Sequence, residues 1–173
     1  FKQDDKHEFI KAMMKEVADH EARDNWILMP RSAMPAGTKT ILSVWSFKRK
    51  RYPDGRVLKH KARLCAHGGM QTWGVNYWET YAPVVNWFSA RILMALCILH
   101  DLETHSIDFV LAFPHADLDV DIYMELPYGF DFNGSRGYIL KLNKNLYGLK
   151  DASRTFWMML KDGLEACGYE RQS

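Results

Sequence analysis

A chain of 173 residues that is 47% hydrophobic and 13% aromatic, with a net charge of +2, has the length of one domain and enough apolar surface for a core. Global disorder is excluded, and no apolar run approaches the ~18 residues that span a bilayer. Cys65, Cys97 and Cys167 are odd in number and more than thirty residues apart, which argues against a disulfide framework and for a reducing compartment. Without a Cys-x-x-Cys or a second ligand pair beside Cys65 and His67, the chain offers no structural zinc motif. The opening Phe1-Lys2-Gln3-Asp4-Asp5-Lys6 has the character of neither a signal nor a transit peptide. It lacks an initiator methionine, and the chain is expected to be a piece of something longer.

In chain order, Phe9, Ile10, Met13 and Val17 recur at helical spacing and predict an amphipathic helix from Phe9 to Asp24, ended by Asn25-Trp26 and Pro30. Thr40 to Lys50 reads as a strand, through Ile41, Leu42, Val44, Trp45 and Phe47. Tyr52-Pro53-Asp54-Gly55 is a turn signal, and Val57 to Ala66 completes a hairpin. A glycine-opened loop carries Trp73, Tyr77, Trp78 and Tyr81 up to Pro83. A helix is predicted from about Asn86 to Asp101, with Phe88, Ile92, Leu96 and Leu99 on one stripe. Ser106 to Phe113 reads as a buried strand, Ile122-Tyr123-Met124 as another and Tyr138 to Leu142 as a third. A last helix runs from about Ala152 to Ala166, its apolar side formed by Phe156, Met159, Leu160 and Leu164. The expected class is α+β, with a basic hairpin projecting from a compact body.

Two features could carry chemistry. Asp108 interrupts an apolar strand pattern, where an ionised carboxylate is costly unless paired or metal-bound. It is either a strand-end residue facing solvent or a magnesium ligand, since Mg²⁺ takes one or two carboxylates plus substrate phosphates. The hairpin carries nine basic residues within positions 48–63, opposed only by Asp54. That density is either a solvated face or an electrostatic footprint for phosphates. Trp73, Tyr77 and Trp78 could stack on bases or pack beneath their loop. Asp117-x-Asp119-x-Asp121 is not a calcium loop, because Ile122 and Tyr128 stand where glycine and glutamate belong.

Four blocks then carry a resemblance. They are Trp45-Ser-Phe-Lys-Arg-Lys with Pro53-Asp-Gly; Lys61-Ala-Arg-Leu-Cys-Ala-His-Gly with Gln71, Gly74 and Tyr77-Trp-Glu-Thr-Tyr-Ala-Pro-Val; Ile107-Asp-Phe-Val-Leu-Ala-Phe through Ile122-Tyr-Met-Glu-Leu-Pro-Tyr-Gly-Phe; and Leu146-Tyr-Gly-Leu-Lys-Asp-Ala-Ser-Arg. In order and spacing they resemble the reverse transcriptases of copia-type LTR retrotransposons, across nearly the whole chain. Departures are Pro114-His115-Ala116 where the family usually has Leu-x-Gly, Asp151 and Ser153 in place of its Gln and Pro, and His67 in place of a frequent Arg.

The resemblance implies a right-hand polymerase truncated before its second catalytic carboxylate turn. Residues 1–86 would be the N-terminal helix and fingers-like region, and 87–173 a partial palm with interspersed fingers elements. Asp108 matches the first catalytic carboxylate, holding two Mg²⁺ (or Mn²⁺) ions with the backbone carbonyl of Phe109. Lys61, Arg63, Phe113, Tyr147 and Gly148 match nucleotide-binding positions, Phe113 as the steric gate under the sugar. Lys48, Arg49, Lys50, Lys150 and Arg154 are expected at the nucleic acid. The implied reaction is templated DNA synthesis from dNTPs on an RNA or DNA template-primer, inside a Gag-Pol polyprotein and a cytoplasmic virus-like particle or the nucleus. The Tyr-x-Asp-Asp turn is absent: the only Asp-Asp is Asp4-Asp5, so the fragment is expected to be inactive alone. The alternative is a degenerate element remnant that binds nucleic acid and catalyses nothing.

Overall fold

The computed structural model describes residues 5–130 and 137–169; Asp4 of the Asp4-Asp5 pair lies outside them. Three helices, α1 (Lys6–Glu21), α2 (Trp87–Leu99) and α3 (Ala152–Ala166), accompany five strands. These are β1 (Trp26–Pro30), β2 (Ser43–Arg51), β3 (Val57–Ala66), β4 (Tyr123–Met124) and β5 (Tyr138–Leu142). The α+β class is as the sequence predicts. Among the described residues no helix is long and apolar enough to cross a membrane.

Helix α1 stops three residues before the predicted end. Arg23 and Asn25 both donate their backbone N–H to the His20 carbonyl, and Asp24 turns left-handed at φ 51°. That turn frees Trp26–Pro30 to become β1, a strand the sequence reading takes only as the end of the helix. β1 pairs antiparallel with β5, from Trp26 opposite Leu142 to Pro30 opposite Tyr138. β5 also pairs with β4, giving the order β1-β5-β4. Ile41 extends the β4 side, donating to the Tyr123 carbonyl at 2.9 Å and accepting from Glu125 at 2.8 Å. The core gathers on this sheet and the base of the hairpin: Val17, Trp26, Ile41, Leu64, Met124, Leu140, Leu142, Leu146 and Leu149 are all buried there.

The predicted hairpin forms as β2-β3, with Val44 opposite Cys65 and Lys48 opposite Lys61. Asp54 accepts from the Arg56 backbone at 2.9 Å, and Gly55 supplies the positive φ (88°) that the turn requires. Because side chains alternate across a strand, the hairpin has two unlike faces. Trp45, Phe47, Arg49, His60, Ala62 and Leu64 look toward α1 and the core. Phe9 of α1 meets Phe47 and His60 edge-on at 5.2 and 4.7 Å. Asp5 binds Arg49 at 2.5 and 2.9 Å and His60 at 2.6 Å.

One expected element is corrected. Ser106 to Phe113 is no buried strand: residues 102–109 take neither helix nor strand conformation, and all of 101–110 are exposed, Ile107 at 78% and Val110 at 67%. A strand needs a hydrogen-bonding neighbour, and the described sheet ends at β1 on one side and β4 on the other. The segment instead turns at Leu111 (φ 54°) into a short 3-10 turn at Phe113–His115. Helix α2 forms as predicted, capped by the Asn86 side chain, which accepts from Phe88 N–H at 2.8 Å. Its apolar stripe meets no core, for none of its residues is buried.

Candidate functional site

The outer face of the hairpin carries Ser46, Lys48 and Lys50 from β2 and Lys59, Lys61 and Arg63 from β3. Lys48 stands directly opposite Lys61, Lys50 opposite Lys59, and Ser46 opposite Arg63. Like charges placed directly across an antiparallel pair are destabilising. Among the described residues, no carboxylate forms an ion pair with any of these five cations. Burial, reinforced by Arg63 and Lys50, pushes the Lys61 ammonium below its ordinary value. An arriving anion would relieve that crowding.

Lys61 and Arg63 line two cavities. The smaller, about 280 Å³, lies over the outer face and is completed by Ser46, Lys48 and Lys50. The larger, about 430 Å³, is walled by residues 59–63 of β3, by Ala12, Lys15, Glu16 and Asp19 of α1, by residues 108–112 and by Tyr147. Lys15 is committed to Asp19 at 2.7 Å, and Glu16 accepts from the Leu64 backbone at 3.3 Å. Lys59, Lys61 and Arg63 therefore share this cavity with the exposed Asp108; Lys15 and Asp19 neutralise each other there, and the Glu16 charge acts on Lys61. The segment bearing Asp108 is held by Phe109, whose ring meets Phe156 of α3 edge-on at 5.4 Å, and by the contact of His115 Nε2 with the Val110 carbonyl at 3.2 Å.

Five sequence-named residues thus meet at one cavity: Asp108, Phe109, Lys61, Arg63 and Tyr147. The Arg63 guanidinium lies 4.8 Å over the Tyr147 ring. Phe113 is not on the wall; its half-buried ring rests against Tyr147 at 4.8 Å and Phe156 at 6.1 Å. Gly148 lies behind the cavity, at the end of β3. Arg49 is separated from Lys48 and Lys50 by strand alternation, since it occupies the inner face with Asp5. Lys150 sits 5.5 Å over the Tyr77 ring, and Arg154 pairs with Glu79 at 3.2 Å and Asp119 at 3.5 Å, both away from the basic face. Ser46 and the α1 wall escape the sequence reading, and Lys59 enters it only as one of the nine basic residues; the irregularity between Lys50 and Arg51 decides which side of β2 meets Lys59 and Lys61.

Among the described residues, no three His, Cys, Asp or Glu side chains converge as a metal site. Asp108 brings one carboxylate on an exposed, irregular segment.

A family model described as reverse transcriptase (RNA-dependent DNA polymerase) matches residues 26–173. The chain is 34% identical over 165 residues to the retrovirus-related Pol polyprotein from transposon TNT 1-94 of Nicotiana tabacum, covering 95% of this chain and 12% of that protein. It is 34% identical over 159 residues to the Pol polyprotein from transposon RE1 of Arabidopsis thaliana, covering 91% and 11%. It is 28% identical over 138 residues to the transposon Ty1-ER2 Gag-Pol polyprotein of Saccharomyces cerevisiae, covering 76% and 7%. No solved structure matches. The chain spans only about a tenth of the length of these polyproteins.

Proposed function

The chain belongs to the reverse transcriptase (RNA-dependent DNA polymerase) family, and we propose that it serves as the phosphate-gripping portion of such a polymerase within a retrotransposon Gag-Pol polyprotein. Lys61 and Arg63 take the triphosphate of an incoming deoxynucleotide in the larger cavity, and Ser46, Lys48 and Lys50 follow the backbone of an RNA or DNA template-primer. The hairpin then acts as fingers, and the sheet with α3 as part of a palm. What supports this is the opposed lysine pairs: a strand pair that sets like charges face to face, with no carboxylate ion-paired to them among the described residues, suits an anion. Tyr147 lines the nucleotide cavity, and Phe113 would act on sugar size only through that ring. The three cysteines, all free thiols, support action in a reducing compartment inside the cell.

Asp108 shares the larger cavity with those cations. In-line nucleotidyl transfer between two metal ions needs more than one fixed anionic ligand, and the other carboxylates on this cavity, Glu16 and Asp19 of α1, are taken up by the Leu64 N–H and by Lys15. The 173-residue chain alone is therefore expected to bind nucleic acid without extending a primer. Anisotropy titrations of a labelled primer-template at several salt concentrations test the binding. Log affinity should fall linearly with log salt, and replacing Lys48, Lys50 and Lys61 together by Ala should weaken binding to every sequence. Affinity indifferent to salt and to these lysines sinks the reading. Primer extension tests the rest: synthesis by this chain alone would mean that another carboxylate, such as Asp117 or Asp119, completes the site.

A further inference from the structure

Arg63 is aimed into the larger cavity by a ring, and the ring is held by a backbone junction that only glycine permits. At the end of β3, Ala66 N–H donates to the Tyr147 carbonyl at 2.8 Å. The loop carrying Tyr147 crosses the strand so closely that a Cβ on Gly148 would stand 2.2 Å from the Ala66 carbonyl oxygen. A Cβ on Gly68 would stand 2.1 Å from the Gly148 carbonyl oxygen. Both contacts are with backbone atoms, which cannot swing aside as a side chain could. Gly148 also sits at φ +92°, so a side chain there is disfavoured twice. A third tie comes from the buried Gln71, whose Oε1 accepts from the Lys150 N–H at 2.8 Å. The outcome is a ring fixed 4.8 Å beneath the Arg63 guanidinium, a distance at which the ring face attracts and orients the cation.

We infer that Gly68 and Gly148 are positioning residues for anion binding: their interlock sets the Tyr147 ring, and through it the direction of Arg63. The inference rests on the phosphate-binding reading of Lys61 and Arg63 and adds two residues that touch no ligand themselves. A side chain at either glycine pushes the 147–150 loop off β3, withdraws the ring and leaves Arg63 free to rotate into solvent.

Calorimetric titration of the 173-residue chain with inorganic tripolyphosphate tests this, with thermal unfolding followed in parallel. Arg63→Ala should weaken binding about tenfold, the size of one lost charge-assisted contact. Gly68→Ala should give a loss of similar size alone and no further loss when combined with Arg63→Ala. A merely structural glycine would lower the unfolding temperature, and its effect would add to that of Arg63→Ala. Tyr147→Leu leaves both glycines and the Ala66–Tyr147 hydrogen bond in place, so it answers the question even where Gly68→Ala fails to fold. It too should weaken binding, and not further in the Arg63→Ala background. Parent-like affinity in Tyr147→Leu, or in a folded Gly68→Ala, overturns the positioning role alone. Parent-like affinity in both Arg63→Ala and Lys61→Ala overturns the phosphate reading, and the positioning role with it.

Discussion

Lys50 shows how a single position can work against the fold. It faces Lys59 across the hairpin, its charge helps to depress Lys61, and its exposed side chain contributes no packing. Cross-strand charge pairs shift stability by about 0.2–1 kcal/mol. Lys50→Glu should therefore raise the unfolding temperature slightly, by replacing a repulsive pair with an attractive one. The same change should weaken oligonucleotide binding and flatten its salt dependence by roughly one phosphate contact. Thermal melts and salt-resolved anisotropy on the two proteins check both signs. A loss of stability together with unchanged binding would return the basic face to an ordinary solvated surface. Arg49, one residue away, is the contrasting case. It reads like its neighbours in a basic run, but a strand turns adjacent residues to opposite sides, and Arg49 spends its charge on Asp5. The irregularity between Lys50 and Arg51 brings Lys48 and Lys50 opposite Lys61 and Lys59, whereas the grouping of Lys48 with Lys50 and of Lys59 with Lys61 was legible from alternation along each strand. The close approach of Gly68 to Gly148 was not, because it joins two loops eighty residues apart.

Helix α1 is the element that makes the hairpin a fixed surface. It grips the inner face at both ends, through Asp5 and Phe9 near the tip and through Glu16 at Leu64 near the base. The Arg49 guanidinium, hydrogen-bonded to Asp5, holds that carboxyl well below the usual carboxylate range, and His60 adds to the effect. A folded-state value depressed in this way contributes stability that is fully present above the ordinary 3.8. The contribution is lost as pH falls through the lower folded-state value. Asp5→Asn should thus be less stable than the parent at neutral pH, with a difference that stays flat until the pH approaches 3.8 and then shrinks in acid. Denaturant melts of both proteins from pH 7 downward check this; a gap that persists unchanged to pH 2 would show that charge at Asp5 is not what holds the helix. The elements themselves divide by how local their causes are. α3, β5 and the hairpin carry their own periodicity and turn chemistry, and they stand where the sequence puts them. β1 depends on β5, more than a hundred residues away, and no local pattern announces it. Ile107 to Phe113 has the composition of a buried strand, but composition cannot provide the neighbour that a strand requires.

For the molecule as a whole, the consequence is an uneven surface. One part is the cationic hairpin, anchored by α1 to a close-packed core. Another part is α2, apolar except for Ser89 and Arg91, with Leu93 62% and Ile98 82% exposed, followed by the exposed run through Ile107 and Val110. A helix this rich in apolar residues is normally buried, and exposed apolar surface of this kind marks an interaction face or an association hazard. The isolated 173-residue chain should therefore self-associate at micromolar concentration and bind an apolar dye. Leu93→Glu combined with Ile98→Lys should suppress both, because neither residue is buried and the pair of changes leaves the net charge unaltered. The cationic hairpin belongs to a different part of the fold, so the double variant should keep the parent's oligonucleotide affinity and salt slope per chain. Sedimentation velocity across a concentration series, with anisotropy on the same samples, separates the two surfaces. A chain that remains monomeric and dye-free at every concentration would mean that α2 is covered in solution. Association that survives the double variant would move the sticky face elsewhere, to the exposed aromatics Trp73, Trp78 and Tyr81.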